Sequence, residues 1–341
     1  METSLSPVDH ALEREYRAVR DVAGRIDLPA GFLKLKGAEA LEFLNRISTN
    51  DLRGLLDRET RPTILTTEKG RIIDVVLVVK EGADLLLIVS QGNSQNVKSW
   101  IGRFIIMEDI TVEDVTDHFK RTSIIGAQAP STIGKICPGP SEPVSVRVGP
   151  GVFLYRDPLW TLPLYHFVGP TAALDSHWNE WGAVHPEIVA IPAISEGTVE
   201  TIRIEIGIPA HGKELTDEVN PLEAGLSRFV SFTKGCYIGQ EVIARLDTYG
   251  KLRRTLCGFV FPDAARNLPV GRLLSSSVEV GWTTSHTYSY QMNKAIALGY
   301  VKGIPAAGVI DFKPSDAELA IPVMTVELPF RAAETHPMPG H

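Results

Sequence analysis

The sequence predicts an α+β body followed by a small antiparallel β-barrel. Three observations carry this reading. Up to about residue 250, segments with apolar residues at helical spacing alternate with segments in which every second residue is apolar. Beyond that point only short β-like runs occur, separated by Gly, Pro, Asp and Asn, as in a small barrel. The chain has 341 residues, enough for two domains and a sizeable core. The boundary is expected near Tyr249-Gly250-Lys251, giving a body over 1–249, a barrel over 250–331 and a disordered tail over 332–341.

The elements follow in order. Residues 1 to about 20 read as a helix with charges on several faces. GFLKLKG (31–37) alternates as a half-buried strand does. Ala40, Leu41, Leu44 and Ile47 share one face of a short helix. Residues 72–79 and 85–89 form two strands of a hairpin. Asn93 or Ser94 is positioned to cap a helix carrying Val97, Trp100, Ile101, Phe104 and Ile105. Strands are expected at 123–125, 152–155 and 162–168, then a helix over 172–181. Another helix after Ser195 turns Val199, Ile202 and Ile206 inward. The barrel strands are expected at 256–261, 278–282, 295–301, 309–312 and 323–328.

Composition narrows the function. The chain is 44% apolar and 22% charged, ordinary for a soluble globular protein. A net charge of −7 argues against direct nucleic-acid binding and against attraction to anionic membranes. The polar, acidic N-terminus resembles neither a signal nor a transit peptide, and no apolar run is long enough to span a bilayer. Cys137, Cys236 and Cys257 are odd in number and widely spaced, so a disulfide framework is not expected and a reducing cytoplasm is. No CxxC pair exists and none of the nine histidines has metal-ligand spacing, so no metal site is expected; three scattered thiols cannot hold an iron–sulfur cluster within one chain. P-loop, dinucleotide, HExxH and GxSxG motifs are missing.

Four constellations remain. In FTKGCYIGQEVIARL, Cys236 lies between an apolar, strand-like 229–232 and a helix over 239–246. The helix N-terminus and the Lys234 ammonium both favour a thiolate; the alternative is a thiol packed as a small hydrophobe. Cys257, in TLCGFVF, reads as core. Asp74 interrupts IIDVVLVV, where a carboxylate needs a hydrogen-bonding partner or a cavity. Glu205 sits beside the inward face of its helix, placed either to hold an amidine-like ligand edge or to pair with Arg203. Lys251, Arg253 and Arg254 cluster at the domain junction, where they would hold an anionic ligand tail or be solvated.

Together these residues resemble the YgfZ-type folate-binding proteins, relatives of the glycine-cleavage T-protein (aminomethyltransferase). KGCYIGQE resembles that group's signature. GAEALEFLNRISTNDL, GRIIDVVLVV with LLLIVS, IRIEIGIPAHGKEL with NPLEAGL, and VGWTTSHTYSYQMNKAIALGYV resemble its other segments, so the likeness spans nearly the whole chain. Aminomethyltransferases typically read K-G-D-F-I-G-R-E where this chain has Cys236 and Gln240. They carry an Asp-Asp pair, one member of which assists methylene transfer, where this chain has Asp74-Val75; which of the two Asp74 matches stays open on the sequence. Tyr290 stands where a proline is common.

The resemblance implies a three-subdomain ring with a ferredoxin-like α+β body, a central folate hole and the C-terminal barrel. It implies tetrahydrofolate as cofactor, with Glu205 holding the pterin, Asp74 near the one-carbon nitrogens and Cys236, with Lys234, as the working thiol; Arg254 steering the glutamate tail is expected from its charge. The function implied is a cytoplasmic accessory protein in assembly or repair of iron–sulfur proteins, with iron–sulfur client or assembly proteins as partners. Folate-dependent aminomethyl transfer is the alternative, and a folate-independent interaction module is the third.

Overall fold

The alternating segments of the body pair into two five-stranded antiparallel sheets, and the chain beyond them closes into a barrel. The computed structural model describes residues 7–136, 145–250, 252–262, 269–303, 308–315 and 319–331. Cys137, Lys251 and the 332–341 tail lie outside the described residues.

Helix α1 (Pro7–Asp21) leads into β1 (Gly24–Asp27) and β2 (Gly31–Lys36). Then come α2 (Ala40–Ile47), β3 (Thr60–Thr66), β4 (Ile72–Glu81), β5 (Asp84–Val89), α3 (Ser94–Gly102) and β6 (Thr111–Asp114). The first sheet has the order β3-β4-β5-β2-β6. Its outer face is covered by α2 and α3, with Phe43, Leu44 and Trp100 packed on Val76, Val78 and Leu87. The expected hairpin is β4–β5, closing with Glu81 opposite Asp84. β3 carries no clean alternation and contains Pro62, which an edge strand tolerates because one side of it needs no ladder bond.

The second sheet is built from β7 (Phe119–Ile125), β8 (Val146–Gly149), β9 (Val152–Arg156) and β10 (Leu164–Pro170), in the order β1-β7-β10-β9-β8. Between β7 and β8 lies α4 (Ala129–Ile136), and after β10 come α5 (Thr171–Val184) and the short α6 (Pro186–Val189). Trp178 and Trp181 of α5 pack on Phe167 of β10. The two sheets meet through Phe32, Val79, Leu86 and Ile88 of the first and Phe153, Tyr155 and Val168 of the second.

α7 (Glu196–Glu205) crosses from α1 to the barrel, and α8 (Gln240–Tyr249) closes the body. The barrel strands are β11 (Arg254–Val260), β12 (Gly271–Ser275), β13 (Val278–Ser289), β14 (Lys294–Lys302), β15 (Gly308–Pro314) and β16 (Ile321–Val326). They close in the order β11-β14-β13-β12-β15-β16 around Phe259, Leu273 and Phe312. Cys257 is buried there, and burial pushes its thiol up to about 12.

Two expectations change. The apolar run before Cys236 is not a strand: a 3-10 turn at Ser227–Phe229 leads into it, and the amides of Phe229, Val230 and Ser231 bond to the carbonyls of Leu226, Ser227 and Thr49. The helix expected to include Phe104 and Ile105 ends at Gly102; Asn93 holds its N-cap position but makes no side-chain cap hydrogen bond, its Oδ1 accepting instead from the Asn96 amide at 3.0 Å. No helix among the described residues is long and apolar enough to cross a membrane.

Candidate functional site

Asp74 is fully buried on β4, on the face it shares with Val76 and Val78. Its carboxylate accepts four hydrogen bonds. Oδ1 takes the Val75 N–H at 2.8 Å and the Ser90 hydroxyl at 2.6 Å; Oδ2 takes the Ser90 N–H and the Asn93 amide, both at 3.0 Å. Burial pushes its pKa up, and the Ser90 and Asn93 donors and nearby His211 oppose that. Strand alternation turns its neighbour Val75 the other way, with Leu77, into an open cleft.

That cleft has a volume of about 360 Å³, within the range of small-molecule sites. Both sheets and the loop after α7 contribute to it. Its walls are apolar, formed by Pro62, Val75, Leu77, Ile88, Leu159 and Leu215. Its polar groups are Ser90, Gln91, Arg121, Tyr155, Asp157 and His211. Arg121 donates to the Leu28 and Pro29 carbonyls at 3.2 and 3.0 Å, which holds a cation at the wall. Asp157 accepts from the Leu159 N–H at 2.8 Å and from His166 at 3.1 Å. His166 is buried, and burial pushes its pKa down, so the ring is neutral at neutral pH. Its single proton therefore sits on Nε2, facing the carboxylate, and Nδ1 accepts from the Ser123 hydroxyl at 2.8 Å. The result is a carboxylate fixed at the cleft from behind.

The loop carrying His211 is held by a buried charge network. Glu214 is fully buried and accepts from Arg203 and the Ala210 N–H, both at 2.9 Å, and from the hydroxyls of Thr284 and Ser285, both at 2.6 Å. Arg203 also clasps Glu200 through two nitrogens, at 2.8 and 2.6 Å. This network ties α7, the cleft loop and barrel strand β13 together.

Several residues singled out on the sequence stand elsewhere. Glu205 is buried, but it does not line the cleft. Its oxygens accept from Tyr16 of α1 at 2.7 Å and Ser289 of β13 at 2.6 Å, so it fastens α7 to α1 and β13. Burial pushes its carboxyl up, against those two donors. Arg254 lies over the Trp282 ring at 4.9 Å and pairs with Glu223 at 3.8 Å, at the barrel junction. The Lys234 ammonium donates to three backbone carbonyls, those of Asn45, Ser48 and Asn50, which uses all three of its protons. Burial pushes its pKa down to about 8, so it remains charged at neutral pH. It anchors the end of α2.

Cys236 is exposed, on a loop pressed against the β3–β4 turn. The Thr66 hydroxyl donates to the Ile238 carbonyl at 2.6 Å. Gly239 has φ +81, and a Cβ there would meet the Thr67 carbonyl oxygen at 2.6 Å, so only glycine permits this approach. The sulfur does not line the cleft. Of the cleft's polar groups none was singled out on the sequence. The lone Asp157 after β9 and the His in PAHG carried no spacing signal, and their convergence is a product of packing.

The N-terminal domain of glycine-cleavage T-proteins matches residues 4–144, and their C-terminal barrel domain matches residues 254–338. The chain carries both domains of the glycine-cleavage T-protein family. Relatives within this family include an aminomethyltransferase of Thermoanaerobacter pseudethanolicus, 26% identical over 84% of this chain and 80% of its own length. Another, from Koribacter versatilis, is 28% identical over 85% of this chain and 79% of its own. The T-protein fold itself is shared with the glycine cleavage system aminomethyltransferase T of Bartonella henselae: TM-score 0.82, 18% identity, covering 96% of this chain and 90% of that one.

Proposed function

We propose that this T-protein-family chain binds a reduced folate in the cleft between its sheets and serves as a YgfZ-type accessory protein for iron–sulfur clients. The observation that carries the reading is the pair Asp74-Val75. The cleft-facing member is valine, and the carboxylate of the other is turned inward and saturated by four donors. This orientation counts against a hairpin carboxylate aimed at the one-carbon nitrogens, as methylene transfer would use. The cleft still suits a flat heterocycle between apolar walls, with Asp157 offering a carboxylate to an amidine-like edge and Arg121 a cation. The exposed Cys236 in KGCYIGQE supplies a thiol that a client can reach.

Aminomethyl transfer is the second reading, favoured by the names of the curated relatives at 26% and 28% identity. The comparisons support it more directly than the accessory role. Three measurements separate the cases. Calorimetry with tetrahydrofolate tests the shared premise, and no binding of any reduced folate would sink both. Turnover with an aminomethyl-lipoyl carrier protein and tetrahydrofolate would establish the transferase. Restoration of iron–sulfur enzyme activity in a deletion strain by the wild-type chain, lost with Cys236→Ala, supports the accessory role.

A further inference from the structure

We propose that His211 makes the cleft selective for a reduced over an oxidised pteridine ring, by accepting at Nδ1 a hydrogen bond from an N–H that only the reduced ring carries. The inference rests on the folate reading above and deepens it. His211 lines the cleft, as Ser90 and Val75 do, and lies within electrostatic reach of Asp74. Its Nδ1 is buried and has no hydrogen-bond partner among the described residues. A buried polar atom left alone costs free energy, and a ligand that satisfies it recovers that cost.

The backbone on both sides of His211 is also fixed. On one side of it the Ala210 N–H is bound to Glu214 at 2.9 Å; on the other the Gly212 N–H is bound to Leu215 at 3.0 Å. Glu214 is itself pinned by Arg203 and two hydroxyls. In the tautomer this role requires, the proton is on Nε2 and Nδ1 presents a lone pair. The ring nitrogens N5 and N8 of a fully oxidised pteridine also present lone pairs, whereas in the tetrahydro form both carry N–H. Lone pair against lone pair is repulsive; lone pair against N–H is a hydrogen bond. Asp74 cannot take this role, because its four acceptor positions are filled.

The test is titration calorimetry of the full chain with tetrahydrofolate and with folic acid. Wild type binds tetrahydrofolate more tightly. His211→Leu, which removes the acceptor, loses about tenfold of that preference, through weaker tetrahydrofolate binding with folic acid affinity unchanged. His211→Asn, whose side-chain oxygen can stand near the Nδ1 position, retains most of it. An unchanged preference in His211→Leu, or an equal loss for both ligands, overturns the proposal while leaving folate binding in place. A wild-type chain that binds neither ligand removes this proposal and the folate reading together. Melting curves of both variants show whether the fold is intact.

Discussion

Replacing Lys234 by methionine tests whether the signature lysine serves the fold or the thiol. The stem of Lys234 is buried, and its ammonium satisfies the carbonyls of Asn45, Ser48 and Asn50. Methionine fills a similar volume and leaves three inward carbonyls without that donor, each costing about 1–3 kcal/mol. Relief of the ammonium's own desolvation, visible in a pKa pushed down to about 8, offsets part of this. A net loss of about 3 kcal/mol is expected. With a urea m-value of about 3 kcal/mol/M, the unfolding midpoint falls by about 1 M. Tryptophan fluorescence in urea measures it, and the alkylation rate of native Cys236 is read on the same samples. A midpoint shift under about 0.3 M, together with alkylation slowed severalfold, would refute the reasoning and return Lys234 to the sulfur.

Other expectations follow from the same geometry. Glu205→Gln keeps tetrahydrofolate affinity within about twofold by calorimetry, because its oxygens face Tyr16 and Ser289; a loss beyond about tenfold would put that carboxylate on the ligand. Burial raises the Glu200 carboxyl, but Arg203 and Lys213 outweigh it and take the pKa from 4.5 to about 2. Its stabilisation is present above pH 4.5 and lost as pH falls toward 2, by up to about 3 kcal/mol from linkage and about 2 after solvent screening of a one-third-exposed side chain. Urea titrations at several acidic pH values should show that Glu200→Gln is missing this slope. Gly239→Ala forces a left-handed φ of 81 on alanine and drives its Cβ against the Thr67 carbonyl, so a loss of about 2–3 kcal/mol is expected in thermal melts; an unchanged melting temperature would show that the loop has room to shift.

What the sequence determined by itself was local. The α2 face, the β4–β5 hairpin, α7 and the run of short barrel strands each declare themselves within a dozen residues, since apolar spacing follows directly from helix and strand geometry. Burial of Asp74 and of Cys257 was legible for the same reason: each interrupts or joins an apolar run. The tertiary structure alone decided what the polar side chains do. Lys234 finds its carbonyls 184 to 189 residues away, and Glu205 finds Tyr16 across 189. The cleft gathers Val75, Arg121, Asp157 and His211 from four separate segments, none unusual alone. A hydrogen bond is satisfied by whatever partner the folded chain brings within about 3 Å, and sequence spacing carries no record of that distance.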